Sequence, residues 1–314
     1  MPEPRPDVLP WLAEALAKQR MGNLAGALLA YKRVISRDPG IPDAWCNLAG
    51  VLHSLGREEE ALEAVQRALE LAPENPAAHV TLGGIRAALG DAGAAQAHYR
   101  DALVLDPINL AATANLAGLL VRDGRLEEGL ALDRAAVALA PANGSVRLNL
   151  GFTLMRLGRL PEAEAACLEA LDLDPGNPLA RWNLAYIRLL QGRYREAWAD
   201  FPARLEVPRG LDNLRGFAEP AWDGSPFPGR TLLVWVEQGL GDTLQFARYL
   251  PRARALGGTV IFQTYACLRG VLGDLPGADL IVTEADPLPP FDLQVPLLEL
   301  PALFGDGVED LPPP

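Results

Sequence analysis

Five polar side chains recur at one position of the sequence, and they suit the binding of a polypeptide backbone. Asn47, Thr81, Asn115, Asn149 and Asn183 follow one another at intervals of 34 residues. An asparagine amide offers two donors and a carbonyl acceptor, so it can pair with both groups of a peptide bond. A row of such side chains predicts binding of an extended segment of another protein, with little regard to that segment's own side chains.

The position three residues later lies on the same helical face and is also unusual. It holds Gly50, Gly84 and Gly118, then Phe152 and Tyr186. Glycine leaves room beside the amides, and the two aromatic rings would supply a stacking surface. Because a net hydrogen bond contributes only about 0.5–1.5 kcal/mol, this row predicts weak and broad binding. The alternative is that the asparagines bond a neighbouring repeat or a helix end.

A second group of polar and glycine residues follows an apolar run near the C-terminal end. Asp242 is a candidate general base there, because a carboxylate can accept a proton from an attacking hydroxyl. The alternative is that Asp242 caps a helix, since Asp242 and Gln245 form a D-x-x-Q pattern. Leu244 stands where a dinucleotide fingerprint requires its third glycine. The residues that would contact an acceptor beside Asp242 are Glu237, Gln238, Gly239 and Gly241.

Composition excludes several classes of function. The formal net charge is -12, which argues against a nucleic-acid-binding protein and against an anionic membrane surface. No apolar run approaches the roughly 20 residues of a membrane helix, and the N-terminal residues do not resemble a signal peptide, so we expect a cytoplasmic protein without membrane insertion. His53, His79 and His98 occupy different repeat positions, so we expect no metal site and no cofactor. The three cysteines are interpreted as buried apolar residues.

These candidate residues must be positioned by a repeated pair of helices. Glycine tolerates the left-handed conformation that ends a first helix, and proline ends the second helix. The prolines recur every 34 residues at Pro39, Pro73, Pro107, Pro141 and Pro175. The glycines do so at Gly22, Gly56, Gly90, Gly124, Gly158 and Gly192. We predict an α solenoid of six repeats over 8–211, namely 8–41, 42–75, 76–109, 110–143, 144–177 and 178–211.

The period stops after about residue 211, and a different structure is expected. Residues 212–230 are rich in proline and glycine and predict a linker. Apolar runs at 231–236, 259–263, 279–283 and 291–295 predict strands, with helices over 243–256 and 267–275. Strands that alternate with helices indicate a parallel, doubly wound sheet, so 231–314 is predicted to form a small α/β domain.

The repeat resembles the tetratricopeptide repeat in its period, its glycine turn and its order of tryptophan, small residues and proline. The second repeat carries this order in Trp45, Leu48, Ala49, Ala61 and Ala68. The row of asparagines resembles the one in the superhelix of protein O-GlcNAc transferases. That resemblance implies a groove on the concave side of the solenoid that binds polypeptide.

The C-terminal segment is similar to a bacterial family in which tetratricopeptide repeats are fused to a glycosyltransferase domain related to the ADP-heptosyltransferases. The similarity lies in the Glu-Gln-Gly-Leu-Gly-Asp-Thr-Leu-Gln-Phe run that ends at Phe246. It implies the first half of a two-Rossmann fold, a nucleotide-sugar donor, a sugar acceptor, and Gly241-Asp242 as the site of the base. Gln294 stands where many relatives have histidine. We expect this chain to lack the donor-binding second half of that fold and therefore not to be active on its own.

We therefore expect a scaffold that binds extended protein or peptide segments, with a glycosyltransferase-related C-terminal domain. The competing hypothesis is a protein or saccharide glycosyltransferase that uses a nucleotide sugar, with the donor half supplied by another chain or lost. Nucleic acid is not an expected partner.

Overall fold

The computed structural model describes residues 7–207, 216–237, 239–305, 307–310 and 312. The chain divides into two compact units, residues 1–158 and 159–314, called unit 1 and unit 2 below. The boundary falls inside the fifth predicted repeat, between its two helices. Among the described residues, no helix combines the length and hydrophobicity that a bilayer crossing requires.

The described part of unit 1 contains nine helices, which form four successive pairs and the first helix of a fifth. Neighbouring helices contact each other along the chain, and from the second pair onward the first helices of consecutive pairs also touch. The helices are α1 (Leu9–Arg20), α2 (Leu24–Arg37), α3 (Pro42–Ser54), α4 (Glu58–Leu71), α5 (Pro76–Ala88), α6 (Ala92–Leu105), α7 (Leu110–Arg122), α8 (Leu126–Leu139) and α9 (Gly144–Arg156).

The turn between the two helices of each pair depends on a glycine in the left-handed region. At that position φ lies between 71° and 82° at the six glycines predicted to form the turn, Gly22, Gly56, Gly90, Gly124, Gly158 and Gly192. This conformation is costly for a residue with a Cβ atom. The predicted helix–turn–helix unit is therefore confirmed. Its helices are present, and a glycine in the left-handed conformation forms the turn between them.

Small residues allow the paired helices to approach closely. Ala27, Ala61 and Ala95 occupy one position of successive second helices and are fully buried. A Cβ atom added to Gly83 of α5 would lie 2.6 Å from Cε1 of Tyr99 on α6. The repeats of unit 1 are thus packed through alanine and glycine, with larger side chains such as Tyr31 filling the remaining space.

Unit 2 begins with further helices and continues into a sheet. Its helical part comprises α10 (Leu160–Leu173), α11 (Pro178–Leu190), α12 (Tyr194–Trp198) and a 3₁₀ turn at Phe201–Leu205. The strands are β1 (Thr231–Trp235), β2 (Thr259–Thr264), β3 (Leu280–Thr283) and β4 (Leu293–Pro296). All three pairings are parallel, in the order β3-β2-β1-β4, with Leu233 opposite Ile261 and Gln294. The predicted parallel sheet is therefore present.

Helices connect and flank the strands. They are α13 (Leu240–Phe246), α14 (Leu250–Ala255), α15 (Arg269–Leu272) and α16 (Leu300–Phe304), with 3₁₀ turns at Ala247–Tyr249, Ala266–Leu268, Leu297–Glu299 and Val308–Asp310. The apolar core of the sheet includes Leu232, Val234 and Phe262, which are fully buried. Residues 212–215 of the predicted linker lie outside the described residues. Trp222, in the described part, is buried against Phe227 and Phe304.

Three sequence predictions for this region are wrong in detail. The helix expected over 243–256 is broken into α13, a 3₁₀ turn and α14, because Pro251 has no amide hydrogen to continue an α-helix. The helix predicted to begin at residue 243 begins earlier, at Leu240. Cys267 is exposed, whereas Cys46 and Cys167 are buried as expected.

Candidate functional site

The predicted row of polar side chains occupies one structural position in five first helices. Each is the sixth residue of its helix: Asn47 in α3, Thr81 in α5, Asn115 in α7, Asn149 in α9 and Asn183 in α11. The first four belong to unit 1 and Asn183 to unit 2. Asn115 and Asn149 are exposed, and the other three are partly buried.

Hydrogen bonding differs along this row. The hydroxyl of Thr81 donates to the carbonyl oxygen of Ala77 at 2.9 Å, inside its own helix. Asn115 is hydrogen-bonded to Tyr99; burial raises the pKa of Tyr99, and this bond opposes the rise. Within the described residues, the amides of Asn47, Asn149 and Asn183 have no hydrogen-bond partner. Their donors and acceptors are therefore available to a ligand.

The residues three positions later provide space and aromatic surface. A Cβ atom added at Gly50 or Gly118 would meet nothing within 4 Å. Phe152 is 40% exposed and Tyr186 is 46% exposed, which is high for aromatic side chains. The guanidinium of Arg156 lies 6.0 Å from the centroid of the Phe152 ring. The surface beside Asn115 and Asn149 thus combines a gap with an exposed ring.

A second series of asparagines has the same 34-residue period and caps helices. This role was not predicted from the sequence. The members of this series precede the first helices α5, α7, α9 and α11. Each side-chain oxygen accepts a backbone N–H of the first turn, at 3.0 or 3.1 Å. This is the geometry of an N-cap, which stabilises a helix by about 1 kcal/mol. The capping residues are Asn75, Asn109, Asn143 and Asn177.

In unit 2 the candidate acceptor residues lie at the carboxyl end of β1. Gly239 precedes α13 in an extended conformation, and Gly241 and Asp242 are its second and third residues. Asp242 is partly buried and has no hydrogen-bond partner among the described residues. The capping-box interpretation is therefore wrong, because a residue inside the helix cannot be its N-cap. Gln238 lies outside the described residues.

Glu237 belongs to a buried ion-paired group. The guanidinium of Arg204 donates to the carboxylates of Glu237 and Glu299 and to the carbonyl oxygen of Phe201. Arg204 and Glu237 are 4% and 5% exposed. The guanidinium also stacks on the Phe201 ring, with Cζ 4.2 Å from the centroid. This group joins the helical part of unit 2 to the ends of β1 and β4.

A cavity of about 310 Å³ lies beside Glu299. Trp222, Trp235, Gln294 and Glu299 contribute to its wall. The indole N–H of Trp235 donates to the side-chain oxygen of Gln294 at 2.7 Å. Gln294, at the position where the resemblance implies histidine, is thus held by a neighbour in the sheet.

A third polar cluster was not expected from the sequence. His79 and His98 occupy different positions within their repeat, yet their ring centroids lie only 5.7 Å apart. The carboxylate of Asp101 lies beside them. The reason is the helix hairpin, which folds α6 back against the start of α5.

These elements define a helical-repeat protein that also contains a parallel sheet. The tetratricopeptide repeat family model matches residues 12–76, 81–144, 130–178 and 148–201, and the chain belongs to this family. Among curated proteins, none matches the chain significantly in sequence.

Solved structures share the helical-repeat fold. A thermophilic tetratricopeptide repeat protein of Thermus thermophilus is similar with a TM-score of 0.53 and 22% identity, over 58% of this chain and 99% of that chain. The APC/C hetero-tetramer Cut9–Hcn1 is similar with a TM-score of 0.58 and 17% identity, over 62% of this chain and 40% of that chain.

Proposed function

We propose that the repeats of unit 1 bind an extended polypeptide segment through the row formed by Asn47, Thr81, Asn115 and Asn149. We propose the same role for Asn183 within unit 2. The observation that carries this proposal is that Asn115 and Asn149 are exposed at the same position of α7 and α9, two first helices that contact each other. Amides presented at a regular interval suit the regular donors and acceptors of a peptide backbone.

The surroundings of the two amides support the same function. Open space at Gly118 lets a peptide main chain approach α7, and the exposed Phe152 ring offers an apolar contact one turn from Asn149. Binding carried mainly by main-chain hydrogen bonds has low sequence selectivity. The partner is therefore best described as an extended segment rather than a folded domain.

The test is a titration with peptides selected from a random displayed library. Asn115→Ala combined with Asn149→Ala should weaken binding by about 1–3 kcal/mol in total, which is two net hydrogen bonds. Gln66→Ala, which removes an exposed amide from a second helix, is the matched control and should leave affinity unchanged. Equal affinity of the double variant and the parent protein would reject the proposal.

A chemical change in the peptide distinguishes main-chain from side-chain recognition. N-methylation of single peptide amides should weaken binding at alternate positions, because it removes a main-chain donor. Alanine substitution of the peptide side chains should have smaller effects. The opposite pattern would contradict a role for the asparagines in reading the backbone.

A glycosyltransferase-related role is a second candidate for unit 2, and we propose it for the residues after β1. The strand order β3-β2-β1-β4 and the placement of Asp242 after β1 favour it, because ligands of parallel sheets bind at the carboxyl ends of strands. In this role Asp242 would accept the proton of an acceptor hydroxyl as the hydroxyl oxygen attacks the anomeric carbon of the sugar donor. The bond from that carbon to the phosphate oxygen breaks, and the nucleoside diphosphate leaves with the electron pair.

The activity can be tested directly with purified protein and nucleotide sugars. Asp242→Asn should abolish transfer or hydrolysis, whereas Asp274→Asn, at an exposed carboxylate elsewhere in unit 2, should not. Calorimetry that detects no nucleotide-sugar binding would reject an enzyme that works alone.

A further inference from the structure

Two histidines and an aspartate converge between the helices of the third pair. His79 is on α5, and His98 and Asp101 lie one turn apart on α6. The carboxylate oxygen of Asp101 is 3.8 Å from Nδ1 of His79 and 3.7 Å from Nδ1 of His98. One potential ligand atom from each residue lies within 4.8 Å of the other two.

The tautomer of His79 is fixed by its second ring nitrogen. Nε2 of His79 lies 3.0 Å from the carbonyl oxygen of Pro73, which can only accept a hydrogen bond. In the neutral ring Nε2 therefore carries the proton, and Nδ1 presents a lone pair toward Asp101. A hydrogen bond from the distal nitrogen to a carbonyl is the arrangement that orients histidines bound to metals.

Both Nδ1 atoms lack the partners that buried nitrogens normally have. Neither Nδ1 of His79 nor Nδ1 of His98 has a hydrogen-bond partner among the described residues, although both atoms are buried. An unsatisfied buried polar atom is uncommon and costs free energy, and one bound cation would satisfy both nitrogens.

The charged groups that face His98 shift its pKa in both directions. Burial is the main cause of its lowered pKa, and His79 and Arg86 add to this shift. Asp101 and Asp91 oppose it. Asp101 is therefore the carboxylate that faces both imidazoles.

We propose that Nδ1 of His79, Nδ1 of His98 and the carboxylate of Asp101 bind one Zn²⁺ ion. Imidazole and carboxylate are ligands that zinc accepts, whereas magnesium and calcium prefer oxygen alone. Bonds of about 2.0–2.1 Å require ligand atoms somewhat closer together than they are here. Rotation of the exposed Asp101 side chain and small shifts of the two rings provide that approach.

Three protein ligands leave one position of a tetrahedral zinc ion open for water. The ion would join α5 to α6 near their open end, opposite the glycine turn at Gly90. It would thereby stabilise the hairpin that carries Thr81.

The test is calorimetric titration of untagged, metal-free full chain with zinc chloride. The parent protein should bind one equivalent of Zn²⁺. His79→Gln and His98→Gln should each weaken Zn²⁺ binding by at least roughly 10–100-fold. That is the loss caused by removal of a residue that only orients a metal ligand through a hydrogen bond. His53→Gln is the matched control, because His53 pairs with Glu58 outside the cluster, and it should bind like the parent. Magnesium chloride should give no binding.

Nitrogen NMR of the parent protein gives a readout that does not depend on variant folding. Zinc should shift the Nδ1 resonances of His79 and His98 and leave those of His53 unchanged. Absence of stoichiometric binding, equal binding by His98→Gln, or unshifted Nδ1 resonances would overturn the proposal.

Discussion

The repeats of unit 1 and the sheet region of unit 2 are stabilised over very different distances along the chain. In unit 1 an asparagine caps the helix that follows it, a glycine turns the chain within one pair, and alanines pack against neighbouring helices. In unit 2 the buried guanidinium of Arg204 binds Glu237 and Glu299, which are 33 and 95 residues away. Interactions between residues close in the sequence recur with the 34-residue period. Interactions between residues far apart in the sequence do not.

The two regions also differ in how they bury charge. The repeats bury mostly apolar residues, and Asp133 is an exception at 2% exposure. Its carboxylate accepts a hydrogen bond from the Thr153 hydroxyl at 2.6 Å, and no ion pair of Asp133 is present among the described residues. The sheet region instead buries a charge with its counter-charges. Removal of a charge should therefore have opposite effects in the two regions: loss of Arg204 should destabilise the fold, and neutralisation of Asp133 should stabilise it.

The largest effect is expected for Arg204→Met. The substitution leaves Glu237 buried without its cation, and loss of one partner of a buried ion pair typically costs about 3–5 kcal/mol. Arg159→Met, which removes an exposed ion pair with Glu162, should cost less than about 1 kcal/mol. Urea denaturation followed by tryptophan fluorescence measures both. An equally small loss of unfolding free energy in the two variants would show that the buried ion pairs of Arg204 contribute little to the stability of unit 2.

The next effect concerns pH and Asp133. Burial raises the pKa of Asp133 from 3.8 to about 6, against the opposing hydrogen bond from Thr153. The folded state therefore holds this proton more tightly than the unfolded state. The resulting stabilisation is complete below pH 3.8 and is lost as the pH rises through 6.

The substitution Asp133→Asn should remove this loss of stability at rising pH. Relative to the parent protein, the variant should gain up to about 3 kcal/mol between roughly pH 4 and pH 7.5, since one pKa unit corresponds to about 1.4 kcal/mol. Thr153→Val should extend the parent's decline to higher pH, because loss of the hydrogen-bond donor raises the pKa of Asp133 further. Melting temperatures across this pH range provide the measurement, and parallel curves for Asp133→Asn and the parent would contradict the prediction.

The smallest effect compares two glycines of the repeats. Gly83→Ala places a methyl group against the Tyr99 ring and should cost about 1–3 kcal/mol. Gly50→Ala meets open space within a helix and should stabilise by about 0.5–1 kcal/mol. Thermal unfolding of the two variants should therefore shift in opposite directions. Shifts of the same sign would indicate that the close approach of α5 and α6 is not the reason why Gly83 is a glycine.

The repeats were predictable because their determinants lie within a few residues of each other. The glycine turns follow directly from the 34-residue period, and so does the common helical position of Asn115 and Asn149. The pairing of His79 with His98 was missed because it depends on which residues a hairpin brings face to face. The capping role of Asn143 was missed because it requires knowledge of where α9 begins, which the period alone does not give.

The sheet region was predictable in its strands and less so in its details. Continuous apolar runs place the four strands to within about two residues at each end. Pro251 divides a helix that the apolar pattern predicted as one. Glu237 was expected beside a ligand because it follows β1, but its cation, Arg204, comes from a segment in which nothing in the sequence indicates a partner.

The buried Arg204 also constrains the order in which unit 2 can mature during synthesis. Helices α1 to α9 require only contacts with near neighbours, so each hairpin can settle soon after it leaves the ribosome. Arg204 must wait until Glu299, 95 residues later, has been made before both of its carboxylates are present. We expect the segment around Phe201 to remain accessible to chaperones and proteases on nascent chains until β4 is in place.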